Sequence, residues 1–136
     1  MSSAHRADVA NTARLHLHID GLALLAGSLV AYGIADGSWW LFVALLLVPD
    51  VFMLGYLAGP RAGAVVYNAG HSLVWPVLLV AIGLLAAAAD AQTLGTSAPL
   101  VLRLGLIWAA HIGVDRTLGF GYKYPSGFSD TDIGRA

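Results

Sequence analysis

The chain contains no cysteine. That excludes disulfides, zinc–thiolate sites, iron–sulfur clusters and a thiol nucleophile. It is also poor in charge: 11% of its 136 residues are charged, against 58% hydrophobic. Soluble domains carry roughly 25% charged residues, so this chain lacks the charge to cover a water-facing surface. A net charge of −1 with scattered basic residues leaves no electrostatic footprint for nucleic acid. The patterns HExxH and GxSxG are absent, as is a glycine-rich phosphate loop.

What is present is apolar mass, with a mean hydropathy of +0.75, arranged in blocks near bilayer length, about 20 residues each. The expected fold is all-α: a single domain forming a four-helix transmembrane bundle with short loops and a polar tail. The helices are expected at about 16–35, 39–58, 61–89 and 99–122, with the tail at 123–136. A polar arm, residues 1–14, precedes the first block, which has no small-residue cleavage site and so does not read as a signal peptide. Asp36-Gly37-Ser38 forms the first turn, and Trp39-Trp40 an interfacial anchor. Gly59-Pro60 breaks the chain between helices two and three. Pro76 is expected to bend helix three by removing a backbone donor. The polar run 90–97 reads as a loop.

Lys and Arg placement sets the expected orientation. Arg6, Arg14, Arg61, Arg116, Lys123 and Arg135 all fall on one side of a four-span topology, while the other two loops carry only Asp36 and Asp90. Both termini are therefore expected in the cytoplasm, with the chain in the cell membrane. Arg103, a turn inside helix four, is expected to snorkel to headgroups.

Against this background Asp50, His71, His111 and Asp115 stand out. Ionisable groups inside a span are costly unless partnered, and they mark function by default. At about 1.5 Å per residue, counts along four helices put these groups and Asp20 in one layer, the cytoplasmic half. Asp20 lies near the cytoplasmic end of helix one. His111 and Asp115 share a face at i,i+4, and Asn68 and His71 at i,i+3. Pro49 frees a carbonyl beside Asp50. Gly55, Gly59 and Gly63, spaced by four, permit close backbone approach. Each feature has a plainer reading. A lone intramembrane histidine is commonly a hydrogen-bonded packing group, His111 with Asp115 could neutralise each other, and His16 and His18 read as solvated interfacial groups.

Two segments carry a resemblance. They are Pro49-Asp50 through Gly55-Tyr56-Leu57-Ala58-Gly59-Pro60-Arg61 to Tyr67-Asn68-Ala69-Gly70-His71, and His111-Ile112-Gly113-Val114-Asp115-Arg116 through Gly119-Phe120-Gly121-Tyr122-Lys123-Tyr124-Pro125. The chain resembles the bacterial small integral membrane proteins grouped as domain of unknown function 4260. The resemblance covers helices two to four and the start of the tail. It implies a membrane protein of about this length, with an acidic residue near the start of helix one that Asp20 matches, and brings no reaction with it.

The leading functional expectation is a membrane-embedded enzyme acting on a lipid or another hydrophobic small molecule. Asp50, His71, His111 and Asp115 would be its catalytic residues, by acid–base chemistry or as ligands of a divalent metal. Tyr67, Asn68 and Asp20 would bind substrate. The alternative is a non-catalytic membrane partner with a polar packing cluster; interhelical hydrogen bonds average only about 0.6 kcal/mol, a modest reason for four ionisable groups. The third reading is a small homo-oligomeric transporter, disfavoured by the apolar outer halves of the helices.

Overall fold

The computed structural model describes residues 3–89 and 97–133. The regular secondary structure of the described residues is helical, with no β-strand among them; most of the expected 90–97 loop lies outside them. The elements are α1 (Ser3–Ile34), α2 (Trp39–Leu45), a 3-10 segment (Val48–Ala58), α3 (Pro60–Gly70), α4 (Val74–Ala88) and α5 (Ser97–Leu118). Three stretches, Asp8–Ile34, Trp39–Ala58 and Pro60–Ala88, are long and apolar enough to cross a membrane. α5 is equally long but carries Arg103, His111, Asp115 and Arg116. It packs against α1 and α4, while the 3-10 segment packs on α3.

α1 differs from expectation by taking in the polar arm from Ser3 onward. Its other end closes through paired backbone bonds, Gly37 N–H to the Tyr32 carbonyl and Asp36 N–H to the Gly33 carbonyl, both 3.1 Å. Asp36 has a φ of 51°, the left-handed cap conformation that aspartate tolerates better than most residues. Arg103 has a partner within the protein. Its Nε and Nη2 both donate to the Ala35 carbonyl, at 3.0 and 2.8 Å, so its charge caps the C-terminal end of α1. Ser38 then caps α2 through its side chain, and Tyr32, Trp39 and Phe42 pack ring on ring at 5.1 to 5.5 Å. Tyr32 and Phe42 form one core cluster with Leu106, Ile107 and Ala110.

The expected second helix divides at Leu46-Leu47, and its second half is an eleven-residue 3-10 helix with Pro49 in its first turn. A 3-10 helix rises about 2.0 Å per residue against 1.5 for α. The whole stretch is therefore about 33 Å long, close to the thickness of a hydrocarbon core. The segment turns sharply at Gly59, φ 105°, into Pro60. It lies so close to α3 that a Cβ on Gly63 would meet the Tyr56 ring, and one on Gly70 the Phe52 ring.

The expected third helix is broken rather than bent, and the break falls at 71–73, before Pro76. Two indole N–H groups take carbonyls at the broken end: Trp75 donates to Ala69 and Trp108 to Gly70, at 2.8 and 2.9 Å. Ser72 Oγ accepts from Val74 N–H and starts α4. A helix can stop inside an apolar layer only if such donors are supplied.

Glycines also seat α5. A Cβ on Gly113 would lie 2.6 Å from the Leu25 nitrogen, one on Gly21 2.6 Å from Arg116 Cβ, and one on Gly83 2.7 Å from the Leu102 backbone. α5 ends earlier than expected, at Leu118, and Gly119 (φ 94°) reverses the chain. The following residues fold back instead of trailing away. Lys123 bridges to Thr131, Tyr124 N–H donates to the Asp130 carbonyl, and Ile133 is buried.

Candidate metal centre

Three elements meet at one point. α5 brings His111 and Asp115 on one face, the end of α3 brings Tyr67 and His71, and the first turn of the 3-10 segment brings Asp50. The two Nε2 atoms of His71 and His111 are 3.0 Å apart. His71 Nε2 lies 3.3 Å from Asp115 Oδ2 and 3.9 Å from Asp50 Oδ1. His111 Nε2 lies 3.6 Å from Asp50 Oδ1 and 3.8 Å from Asp115 Oδ2. One ligand atom from each of the four residues falls within 4.8 Å of all the others.

The tautomer of His71 follows from its surroundings. Its Nδ1 lies 2.9 Å from the Tyr67 carbonyl, which can only accept, so Nδ1 carries the proton. In a neutral ring Nε2 then holds the lone pair, aimed at His111 and Asp115. The ring is fixed further by stacking on Tyr67, 3.7 Å between centroids at 15°. Tyr67 also donates its hydroxyl to Asp115 Oδ2 at 2.6 Å and so orients that carboxylate. A backbone carbonyl holding one imidazole and a phenol holding one carboxylate are the outer-shell supports that metal ligands characteristically have.

The spacing suits a cation. Two ligands about 2.0–2.1 Å from a tetrahedral ion stand roughly 3.3–3.4 Å apart, within the range of separations seen here. Neutral imidazole with carboxylate is a donor set for zinc or a first-row ion of similar hardness. Both histidines are buried, while the Asp50 side chain keeps 33% of its surface and the Asp115 side chain 13%. The cluster is therefore most open at Asp50. On its other flank a cavity of about 10 Å³, lined by His71, Asp115, Gly121 and Tyr122 among others, is no larger than one water.

The remaining expected site residues fall into different places. Tyr67 touches the cluster, as above. Asn68 does not face it: its amide clamps the tail, Nδ2 donating to the Lys123 carbonyl at 2.9 Å and Oδ1 accepting from Lys123 N–H at 2.7 Å. Asp20 stands exposed on α1, apart from the four converging groups. His16 is exposed, but His18 is half-buried and bonds the Thr117 carbonyl near the end of α5. Arg116 lies over the Tyr122 ring.

One residue was not anticipated. Lys123, the sole lysine of the chain, is buried to 2% exposure by the fold of the tail. Its ammonium donates to the Phe128 carbonyl at 2.8 Å and sits over the rings of Phe128 (3.9 Å), Tyr67 (4.8 Å) and Phe120 (5.7 Å). Burial lowers its pKa below the ordinary lysine value, opposed by the charges of Asp115 and Asp50. The available signal was a solitary cation amid aromatics, in Gly119-Phe120-Gly121-Tyr122-Lys123-Tyr124, directly after the helix that carries His111 and Asp115.

Fold and site together define an all-helical protein with apolar helices of membrane-spanning length around a buried His/Asp cluster. The chain belongs to the family described as Domain of unknown function (DUF4260), whose profile matches residues 14–136. No curated protein and no solved structure matches it.

Proposed function

We propose that this chain is a membrane-embedded metalloenzyme that acts on a lipid or another hydrophobic small molecule. His71, His111, Asp50 and Asp115 would hold one divalent ion. The observation that carries this reading is the convergence of their four ligand atoms within 4.8 Å, with the His71 lone pair directed inward by the Tyr67 carbonyl. Bound there, the ion would supply Lewis acidity toward a carbonyl or phosphoryl oxygen, or a water activated near neutral pH. The chain's own part is to fix the ligands, orient Asp115 through Tyr67, and keep bulk water away from the two histidines.

The membrane setting is supported by three apolar helical stretches of sufficient length and by their outward faces. Ile34, Trp40 and Leu57 are each more than four-fifths exposed, a cost in water and a gain in lipid. The Lys/Arg pattern favours both termini in the cytoplasm of a cell-membrane protein. The cluster then lies toward the cytoplasmic leaflet, the side from which a hydrophobic substrate would approach.

Metal analysis of the detergent-purified protein tests the proposal. We expect close to one transition-metal ion per chain, lost in His71→Ala and in His111→Ala. A wild-type chain that stays metal-free after incubation with zinc, cobalt, iron and manganese would overturn it. A C-terminal reporter active only outside the cytoplasm should be silent; activity would reverse the topology.

A further inference from the structure

Two apolar cavities lie against α5, and they differ in where they lead. The larger, about 480 Å³, lies between α1 and α4 and is lined on α5 by Leu106 and Ala109. The smaller, about 230 Å³, lies between Leu79 of α4 and Val48-Pro49 of the 3-10 segment, against Leu104, Ile107 and Trp108 of α5. Successive residues of an α-helix point about 100° apart. Leu104, Ile107 and Trp108 therefore fall on one stripe with His111 and Asp115, whereas Leu106 and Ala109 fall on the opposite side. Of the two cavities, the smaller shares a helix face with the cluster.

Cavity and cluster adjoin at both walls. Pro49 lines the cavity, and the next residue, Asp50, is the most open of the four cluster groups. Among the lining residues Val48 alone is exposed. The cavity thus opens sideways at a point about 4 Å along the segment from Asp50, at 2.0 Å per residue. Trp108 holds the other wall in place. Its N–H donates to the carbonyl of Gly70, beside His71, and its ring stacks on Phe52 at 6.2 Å. Depth points the same way. From His111 to Leu104 is about 10 Å along α5, toward the helix centre and past it. A lipid held by its polar end at the cluster would run its chain in that direction, into the bilayer. We propose that this cavity seats one hydrocarbon chain of the substrate, whose polar head meets the metal on the Asp50 side. The inference deepens the metal reading above, rests on it, and makes the substrate an acyl-chain lipid. A volume below the about 300–1,000 Å³ of pockets that enclose drug-sized ligands suits one chain and not a fused ring system.

The test uses the full-length protein in detergent, loaded with cobalt(II), with the visible spectrum of the cobalt as readout. The probes are acetohydroxamate and octanohydroxamate, which share a metal-binding head and differ in the chain. Val48→Trp and Leu104→Trp narrow the cavity. Both should leave acetohydroxamate affinity unchanged and weaken octanohydroxamate roughly 10-fold or more, since each seated methylene is worth roughly 4-fold. Leu84→Trp, in the larger cavity, should match the wild type with both probes. Detergent takes up the longer probe equally in every sample, so the ratio between variants reports the seat. An octanohydroxamate with a terminal diazirine gives a second reading in the wild type, and it decides if either variant fails to load cobalt. Light should attach it to residues 45–49 or 104–108. Attachment at 23–28 or 77–84, or wild-type octanohydroxamate affinity in both variants, overturns the chain seat alone. So does cobalt that responds to neither probe. A wild-type protein that takes up no cobalt overturns the metal reading as well.

Discussion

Gly113→Ala changes a residue that touches none of the four cluster groups, yet it should weaken metal binding. Gly113 lies midway between His111 and Asp115 on α5, against α1. A Cβ there would stand 2.6 Å from the Leu25 nitrogen and 2.9 Å from the Gly21 carbonyl oxygen, both backbone atoms that cannot rotate away. Ordinary contact begins at 3.4 Å, so the two helices must separate by about 0.8 Å, an overpacking that costs about 1–3 kcal/mol. The same displacement carries His111 and Asp115 relative to Asp50 and His71. Metal–ligand distances tolerate only about 0.2 Å. We expect metal affinity to fall about 10- to 100-fold, the range for disturbed ligand support, with little loss of helix by circular dichroism. Gly27→Ala is the control, because a Cβ there meets nothing within 4 Å; it should leave affinity unchanged. The assay is competition for zinc against a chromophoric chelator, with melting temperature in parallel. Wild-type affinity in Gly113→Ala would refute the claim that the α1–α5 contact sets the ligand spacing.

Asn68→Ala removes both bonds to the Lys123 backbone and should cost about 1–3 kcal/mol; the tail should open, and trypsin should cut after Lys123 faster than in the wild type. Arg103→Met removes the α1 cap and should lower stability by about 1 kcal/mol, seen as a lower melting temperature with unchanged metal affinity. Lys123 also predicts a pH response. Its folded pKa is held below the ordinary 10.5 by burial, so in the window just under 10.5 the unfolded chain binds more protons and stability should rise with pH. Lys123→Met should flatten that rise in melting curves of chelator-treated protein; an unchanged slope would place its origin elsewhere.

The depth and facing of Asp50, His71, His111 and Asp115 were legible because a helix converts residue number into height and angle, and three such counts agree. Helix type was not. An apolar run scores the same in α and 3-10 form, so the tight segment carrying Asp50 could not be seen. The break at 71–73 was equally hidden, since it depends on Trp75 and Trp108 supplying donors, and Trp108 comes from α5. The Arg103 bonds to the Ala35 carbonyl were hidden for a related reason: they require knowing that α1 ends beside α5. Asn68 and Lys123 depend on a chain reversal at Gly119 that brings together residues 55 apart. Their types advertised polarity, but only the fold decided that one would clamp and the other would be enclosed.

The reversal at Gly119 also bears on the order in which the site is made. Asp50 leaves the ribosome well before Asp115: at roughly 5–20 residues per second, the chain between them takes several seconds. During that interval two of the four groups exist without their partners. The fold-back that clamps Lys123 onto Asn68 can form only once α5 is complete, so α5 completes the cluster and the tail folds back last. The four groups therefore first stand together when the chain is nearly finished, and because the Asp50 side chain keeps 33% of its surface, the cluster stays reachable from that side after the tail has folded back.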